Sequence, residues 1–372
     1  MKPIFYFSVF ILTSLLLFAC EPATEVKNDP ATAGNINSVP LRVSLNQGVE
    51  ELSTAVKTIS NSESFQLLAG IVPGSDVTGN PSFAPDLRRD SLLITLEDVA
   101  GVYEYSWKKV KRMNNNLLRV FDRTADNDHL IVRFPVQKLK NYHRLFIFTP
   151  RDTTLTNNFE ADVNEYMLSR HYQKGLEYKL KSSMKVDDKS LGLVSISRIR
   201  NKVNGFNFTS EYALGSGYVV SNKQNSGDTA VSVYSISKEG KVLFEEKMTS
   251  YRVNQENKMR EKVFSLTIGK VTIVRIAGTD SFANAKIYVD GVLQENAKAE
   301  IVITEETNEE KGITYQRRDV KLTFDDGTTT TLRELKGETI EELGLIFASV
   351  RQIGFASEII DRIAANIYWT KK

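Results

Sequence analysis

The chain reads as an α+β protein, mainly antiparallel β-sheet, with an N-terminal amphipathic helix and C-terminal helices packed on the sheet. Three observations carry this expectation. Leu176, Tyr178, Leu180, Ser182, Met184 and Val186 alternate with Glu177, Lys179, Lys181, Ser183 and Lys185, the period of a strand with one wet face. Runs of this kind follow one another through short joints such as Asp290-Gly291 and Asp326-Gly327, which suit tight turns between antiparallel neighbours. Long apolar stripes of helical period stand near the two ends of the body.

Leu45, Val49, Leu52, Val56 and Ile59 recur at spacings of four and three, and Ser44 with Gln47 has capping-box spacing. Breakers at Pro73-Gly74 and from Pro81 to Pro85 then mark a loop. Strands are expected at Ser91–Thr95, Val102–Trp107, Leu117–Phe121, Leu130–Phe134 and Leu145–Phe148. Phe159, Val163, Tyr166 and Met167 predict a second helical patch over 159–172. Beyond the clear strand at 176–186, Asp187-Asp188-Lys189-Ser190 reads as a turn. Further strands are expected at Phe206–Tyr212, Val231–Ile236, Val242–Met248, Val263–Ile268, Val271–Ile276, Lys286–Val289, Glu300–Thr304 and Val320–Phe324. Lys238-Glu239-Gly240 is expected to form a three-residue loop. Ile340, Leu343, Phe347, Val350, Ile353, Ile360, Ile363 and Ile367 form the last apolar face. Thr339 and Glu342 have capping-box spacing there, and Gly344 and Gly354 are positions where the helix would break or dent.

The segment before the body carries the clearest functional signal. Ile4 to Phe18 is almost all apolar, Lys2 supplies a positive start, and Leu17-Phe18-Ala19-Cys20 closes the run on the sole cysteine of 372 residues. The run is short for a transmembrane helix, which needs about 20 apolar residues, and fits a secretory signal. Leu17 to Cys20 resembles the lipobox of bacterial lipoproteins. The resemblance implies a signal peptide over 1–19, cleavage between Ala19 and Cys20, and diacylglycerol on the Cys20 sulfur, with further acylation such as palmitate. Several acyl chains on one residue hold a protein firmly at a membrane. The mature protein would then be a membrane-anchored lipoprotein of the cell envelope, at the outer membrane on its periplasmic or surface face. Residues 20–40 are polar and small, which marks a flexible tether. Residues 41–372 form the β-rich globular body, and any internal boundary is expected near 150–175.

Composition narrows the partners. With 48 basic and 46 acidic residues the net charge is +2, so no charge excess favours nucleic acid. With Cys20 lipidated, no disulfide forms, and a core must come from ordinary packing. About 330 residues suffice for one or two cores. A thiolate zinc site is excluded. No His-Glu-x-x-His occurs. Gly215-Ser216-Gly217 lacks the spacing of a nucleophile elbow and, with Val220 at the third-glycine position, of a dinucleotide fingerprint; a turn is expected there.

The densest polar cluster is Asp122, Asp126, Asp128 and His129. Its alternating carboxylates suit a hard cation, but no glycine stands in calcium-loop position and Leu130 begins a strand, so a solvated turn is expected. His143 and His171 lack partners at ligand spacing. The pairs Glu245-Glu246, Glu305-Glu306 and Glu309-Glu310 point to opposite strand faces and read as surface charge. Trp107-Lys108-Lys109-Val110-Lys111-Arg112 is a basic patch beside an aromatic ring, read as a wet strand edge. Asp90-Ser91-Leu92, Asp152-Thr153-Thr154 and Asp228-Thr229-Ala230 resemble an O-glycosylation sequon of some bacterial exported proteins. No catalytic, cofactor or metal residues are assigned, and a non-enzymatic role is expected: binding a glycan, protein or lipid ligand, or a structural role. The alternative is lipid or lipoprotein carriage. The order helix, strands, helices is similar to that of periplasmic lipoprotein-carrier and acceptor families, which implies an apolar cavity under a curved sheet.

Overall fold

The computed structural model describes residues 40–71, 91–106, 121–138, 154–171, 175–201, 205–252, 260–277, 285–308 and 313–371. The expected leader, Cys20, the tether, the Pro-rich loop, the Trp107–Arg112 patch, His143, the strand at 145–148, and Asp90 and Asp152 of the sequons lie outside these residues. The first elements are α1 (Leu41–Asn61), α2 (Glu63–Ile71), β1 (Leu92–Thr95), α3 (Leu96–Val99), β2 (Gly101–Tyr105), β3 (Phe121–Ala125) and β4 (Leu130–Phe134). Five long strands follow: β5 (Phe159–His171), β6 (Gly175–Val186), β7 (Lys189–Asn201), β8 (Gly205–Ala213) and β9 (Tyr218–Ser226). Then come β10 (Thr229–Lys238), β11 (Lys241–Arg252), β12 (Arg260–Ile268), β13 (Val271–Ala277), β14 (Lys286–Val289) and β15 (Val292–Leu293). The chain closes with β16 (Lys298–Asn308), β17 (Ile313–Thr323), β18 (Thr329–Thr331) and α4 (Leu332–Lys371). The fold is mostly antiparallel sheet with a few helices, consistent with α+β. Two compact units result. Among the described residues, one draws on 40–57 and 228–345 and the other on 58–227 and 346–371.

In the second unit the strand order is β9-β8-β7-β6-β5-β4-β2-β3, with β1 also paired to β5. Among the described residues every strand pairing of this unit is antiparallel except β2 with β4. Residues 159–171 form β5, not the expected helix. The bulge between Val163 and Glu165 shifts the alternation by one, so Phe159, Val163 and Tyr166 acquire helix-like spacing while all facing inward. Strand β7 was not expected either. Gly192, at φ +130°, and the bulge at Leu191 interrupt its period. The buried Tyr212 hydroxyl donates to the Leu191 carbonyl and anchors that bulge.

The core of this unit is built by Ile94, Leu130, Val132, Phe134, Phe159, Ala161, Val163 and Leu180 on the sheet. Ile359, Ile360, Ile363, Ala364 and Ile367 of α4 are buried as well. Each such aliphatic side chain contributes about 1.5–3 kcal/mol when fully buried. Edge-to-face and tilted rings run through Tyr105, Phe121, Phe134 and Phe159 with centroids 5.9, 6.4 and 4.7 Å apart.

In the first unit, β10 to β15 form a consecutive antiparallel meander, and β16, β17 and β18 form a separate three-stranded sheet. Asp290 and Gly291, at φ +48° and +80°, make the two-residue turn that Asp-Gly predicts. Glu239 and Gly240 do the same between Lys238 and Lys241, so this joint has two residues rather than three. Helix α1 starts at Leu41, ahead of Ser44, which is buried within it; Gln47 Nε2 donates to Glu51 instead of closing a capping box. Gly48 of α1 lies against the Ile268 backbone. Glu51 pairs with Lys241 at 2.6 Å, and this hydrogen bond pulls the Glu51 carboxyl below its ordinary value.

Helix α4 also starts earlier than expected. The Thr331 hydroxyl accepts from the Glu334 amide at 3.1 Å, and the Glu334 carboxylate accepts from the Thr331 amide at 2.9 Å. This is the true capping box, eight positions before Thr339. Neither Gly344 nor Gly354 ends the helix, which runs unbroken for 40 residues.

Candidate functional site

The two faces of the β4–β9 sheet differ in chemistry. Its wet face carries a ladder of alternating charge. Glu104, Arg133, Glu160 and Lys185 are successive cross-strand partners on β2, β4, β5 and β6. Arg133 Nη1 lies 3.0 Å from Glu104 and Nε 2.8 Å from Glu160, while Lys185 Nζ lies 3.5 Å from Glu160. The two carboxylates raise the Arg133 pKa further, Glu160 the more strongly. Glu165 with Lys181 and Glu211 with Lys223 continue the matching of charges.

His129 stands beside this ladder. Its Nδ1 is 2.8 Å from Asp162 Oδ1, and its amide donates to Asn127 Oδ1 at 2.8 Å. A carboxylate on Nδ1 orients an imidazole and leaves Nε2 toward other partners. Among the described residues no three His, Cys, Asp or Glu side chains gather as a metal site. The aspartates expected near His129 disperse: Asp126 pairs with Arg123 at 2.9 Å and Asp122 sits within β3. No local pattern pairs His129 with Asp162, because the contact spans 33 positions and arises from β4–β5 register.

The opposite face carries α4. Tyr166 and Tyr178 meet edge-to-face, 6.1 Å apart, on the face where the charge of Asp361 of α4 bears on both phenols. Burial first, then the Asp361 charge, holds both phenols well above their ordinary value. Past these tyrosines the apolar rows change character. Leu168, Tyr178, Arg198, Phe208 and Gln224 form one register row, and Arg170, Leu176, Arg200, Phe206 and Ser226 the next. Arg198 lies over the Phe206 ring, 5.5 Å from its centroid, and Phe206 stacks parallel to Phe208 at 6.4 Å. Sequence reasoning missed this cluster along with β7. The available signal was Val194-Ser195-Ile196-Ser197-Arg198-Ile199-Arg200, an alternation whose inward position changes from aliphatic to arginine.

The remaining candidates lie apart from these clusters. Gly215-Ser216-Gly217 is the turn between β8 and β9. His171 ends β5. Glu245 and Glu246 stand on opposite faces of β11, with Glu246 buried. Asp228 is exposed at the turn before β10, beside Arg252 at 3.9 Å. Comparison with protein-family models, curated proteins and solved structures finds no match.

Proposed function

We propose that the protein is a cell-envelope lipoprotein, held at the membrane through Cys20, whose β-rich body has a non-enzymatic binding role. The observation that carries this reading is the sole cysteine at the end of a short apolar leader with a basic start. Acylation of Cys20 would provide the anchor; among the described residues no helix is long and apolar enough to cross a membrane.

The body supports binding over lipid carriage. A carrier needs an apolar cavity under its sheet. Here the helix-bearing face of the second unit is occupied by the chain's own Ile359, Ile360, Ile363, Ala364 and Ile367 together with Val163, Leu180 and Val194. In the same reading α1 acts as an amphipathic helix, its stripe of Leu45, Val49, Leu52, Val56 and Ile59 turned to the core. The exposed ends of the sheet faces then provide the recognition surface, with a glycan, protein or lipid headgroup as ligand and no nucleic acid.

Two measurements test the proposal. Replacing Cys20 with Ala moves the protein from the membrane fraction to the soluble fraction; continued fractionation with membranes contradicts lipid anchoring. Organic extraction of the purified Cys20→Ala chain, followed by mass spectrometry, yields no stoichiometric lipid. Recovery of one acyl species per chain would replace the binding reading with carriage.

A further inference from the structure

We propose that the Arg198–Arg200 end of the helix-bearing face binds a phosphate group, an inference that rests on the reading of the body as a binding module. Arg198 Nε is buried and has no hydrogen-bond partner among the described residues. A buried donor on a charged group left without an acceptor is costly, and such a group ordinarily finds one. The Phe206 ring fixes the guanidinium plane from one side but accepts none of its in-plane N–H groups. The missing partner is therefore an acceptor approaching in that plane.

The surroundings select an anion. The two register rows bring Arg198 and Arg200 to one end of one face and contain no carboxylate. Asp361 of α4, an acid on this face, bears on Tyr166 and Tyr178. On the other face, by contrast, Lys179, Lys181, Lys185 and Lys223 each stand beside a glutamate. Cationic charge is neutralised there, whereas Arg198 and Arg200 have no ion pair among the described residues. Arg198 and Arg200 are two positions apart on β7, about 6.6 Å along the strand, and point the same way. Two guanidinium forks at that spacing can close on the several oxygens of one phosphate, each by paired charge-assisted hydrogen bonds. Phe206 and Phe208 provide an apolar floor beside it. The phosphate has two sources, a phospholipid headgroup or a soluble phosphorylated molecule, and both share this chemistry.

The test uses the full chain in its Cys20→Ala form, so that an acyl anchor does not dominate vesicle binding. It is titrated with inorganic phosphate by calorimetry, and with vesicles of phosphatidylglycerol or phosphatidylcholine by co-sedimentation. Binding to free phosphate identifies a soluble source. Binding to phosphatidylglycerol over phosphatidylcholine, without measurable affinity for free phosphate, identifies the headgroup. In either case the Arg198→Gln/Arg200→Gln pair weakens binding at least about tenfold. The Lys179→Gln/Lys181→Gln pair removes the same charge from the opposite face and leaves binding within about twofold. Arg200→Gln alone, at an exposed position, keeps the test valid if the double variant unfolds, and circular dichroism checks each variant. Absence of binding in every arm, or equal loss in both lysine and arginine pairs, overturns the site. The membrane fractionation of the Cys20→Ala chain reads the anchor separately, and capture of a glycan or protein without phosphate affinity would remove this inference alone.

Discussion

Replacing Gly48 with Ala isolates the contact that seats α1 in the first unit. In the interior of a helix this substitution ordinarily stabilises by about 1 kcal/mol, because glycine loses more backbone freedom on folding. Here an added Cβ would lie 2.8 Å from the Ile268 carbonyl oxygen, 3.2 Å from its carbon and 3.4 Å from Gly269 Cα. All three atoms are backbone, and Gly269, at φ +57°, turns the chain between β12 and β13. No side chain can swing aside, so α1 or the turn must move. Overpacking of this kind costs about 1–3 kcal/mol, which offsets or exceeds the helix gain and leaves a net loss of about 0–2 kcal/mol. In a unit of this size that is a fall in thermal midpoint of about 2–4 °C per kcal/mol. Gly337→Ala in α4 is the internal control. Its Cβ would meet only the flexible Arg333 Cγ, at 3.3 Å, so the helix gain survives and the midpoint rises. Thermal unfolding followed by circular dichroism compares the two. If Gly48→Ala is as stabilising as Gly337→Ala, the close approach of α1 to Ile268 is wrong.

Three further outcomes follow from the packing. Tyr212→Phe removes the donor to the Leu191 carbonyl at the β7 bulge and lowers stability by about 1–2 kcal/mol in urea denaturation; no change would mean the bulge holds without it. Tyr166 and Tyr178 have folded values raised above an ordinary 10, so above that pH the unfolded chain loses protons that the folded chain keeps. Stability is therefore intact below pH 10 and falls as pH rises through the folded values, and Tyr178→Phe makes the alkaline decline shallower; an unchanged pH profile would refute burial of that phenol. A double-mutant cycle on Arg133 and Glu160 gives a coupling of about 0.5–1 kcal/mol, reduced by salt because both side chains are partly exposed. A salt-independent or null coupling would show that the ladder is not formed in solution.

The sequence disclosed β6, whose two faces differ, and concealed β5 and β7, whose register is bent; β9, with no register shift, was not expected either. Strand β6 alternates without interruption to Val186, and its limits were readable within one residue. Strand β5 carries a bulge at Val163–Glu165, and one extra residue in a period of two mimics the period of a helix. Gly192 and Leu191 hid β7 in the same way, and with it the arginine rows. Capping pairs were ambiguous because Ser44/Gln47, Thr339/Glu342 and Thr331/Glu334 all have the right spacing, and only tertiary packing decides which one ends a helix. The division into two units left no linker composition to read. Its boundaries at 57/58 and 345/346 fall inside α1 and α4, and the one at 227/228 falls in the two-residue joint between β9 and β10. The His129–Asp162 pair and the charge ladder depend on register between strands far apart in sequence, which no local pattern encodes.

The measurement that tests the central claim most directly is mass spectrometry of the mature N-terminal peptide from the membrane-bound protein. The account predicts a peptide that begins at Cys20, lacks residues 1–19, and carries diacylglycerol on the sulfur with further acylation. A peptide that retains Ala19 joined to Cys20, or that begins at Cys20 with a free thiol, contradicts the lipoprotein reading.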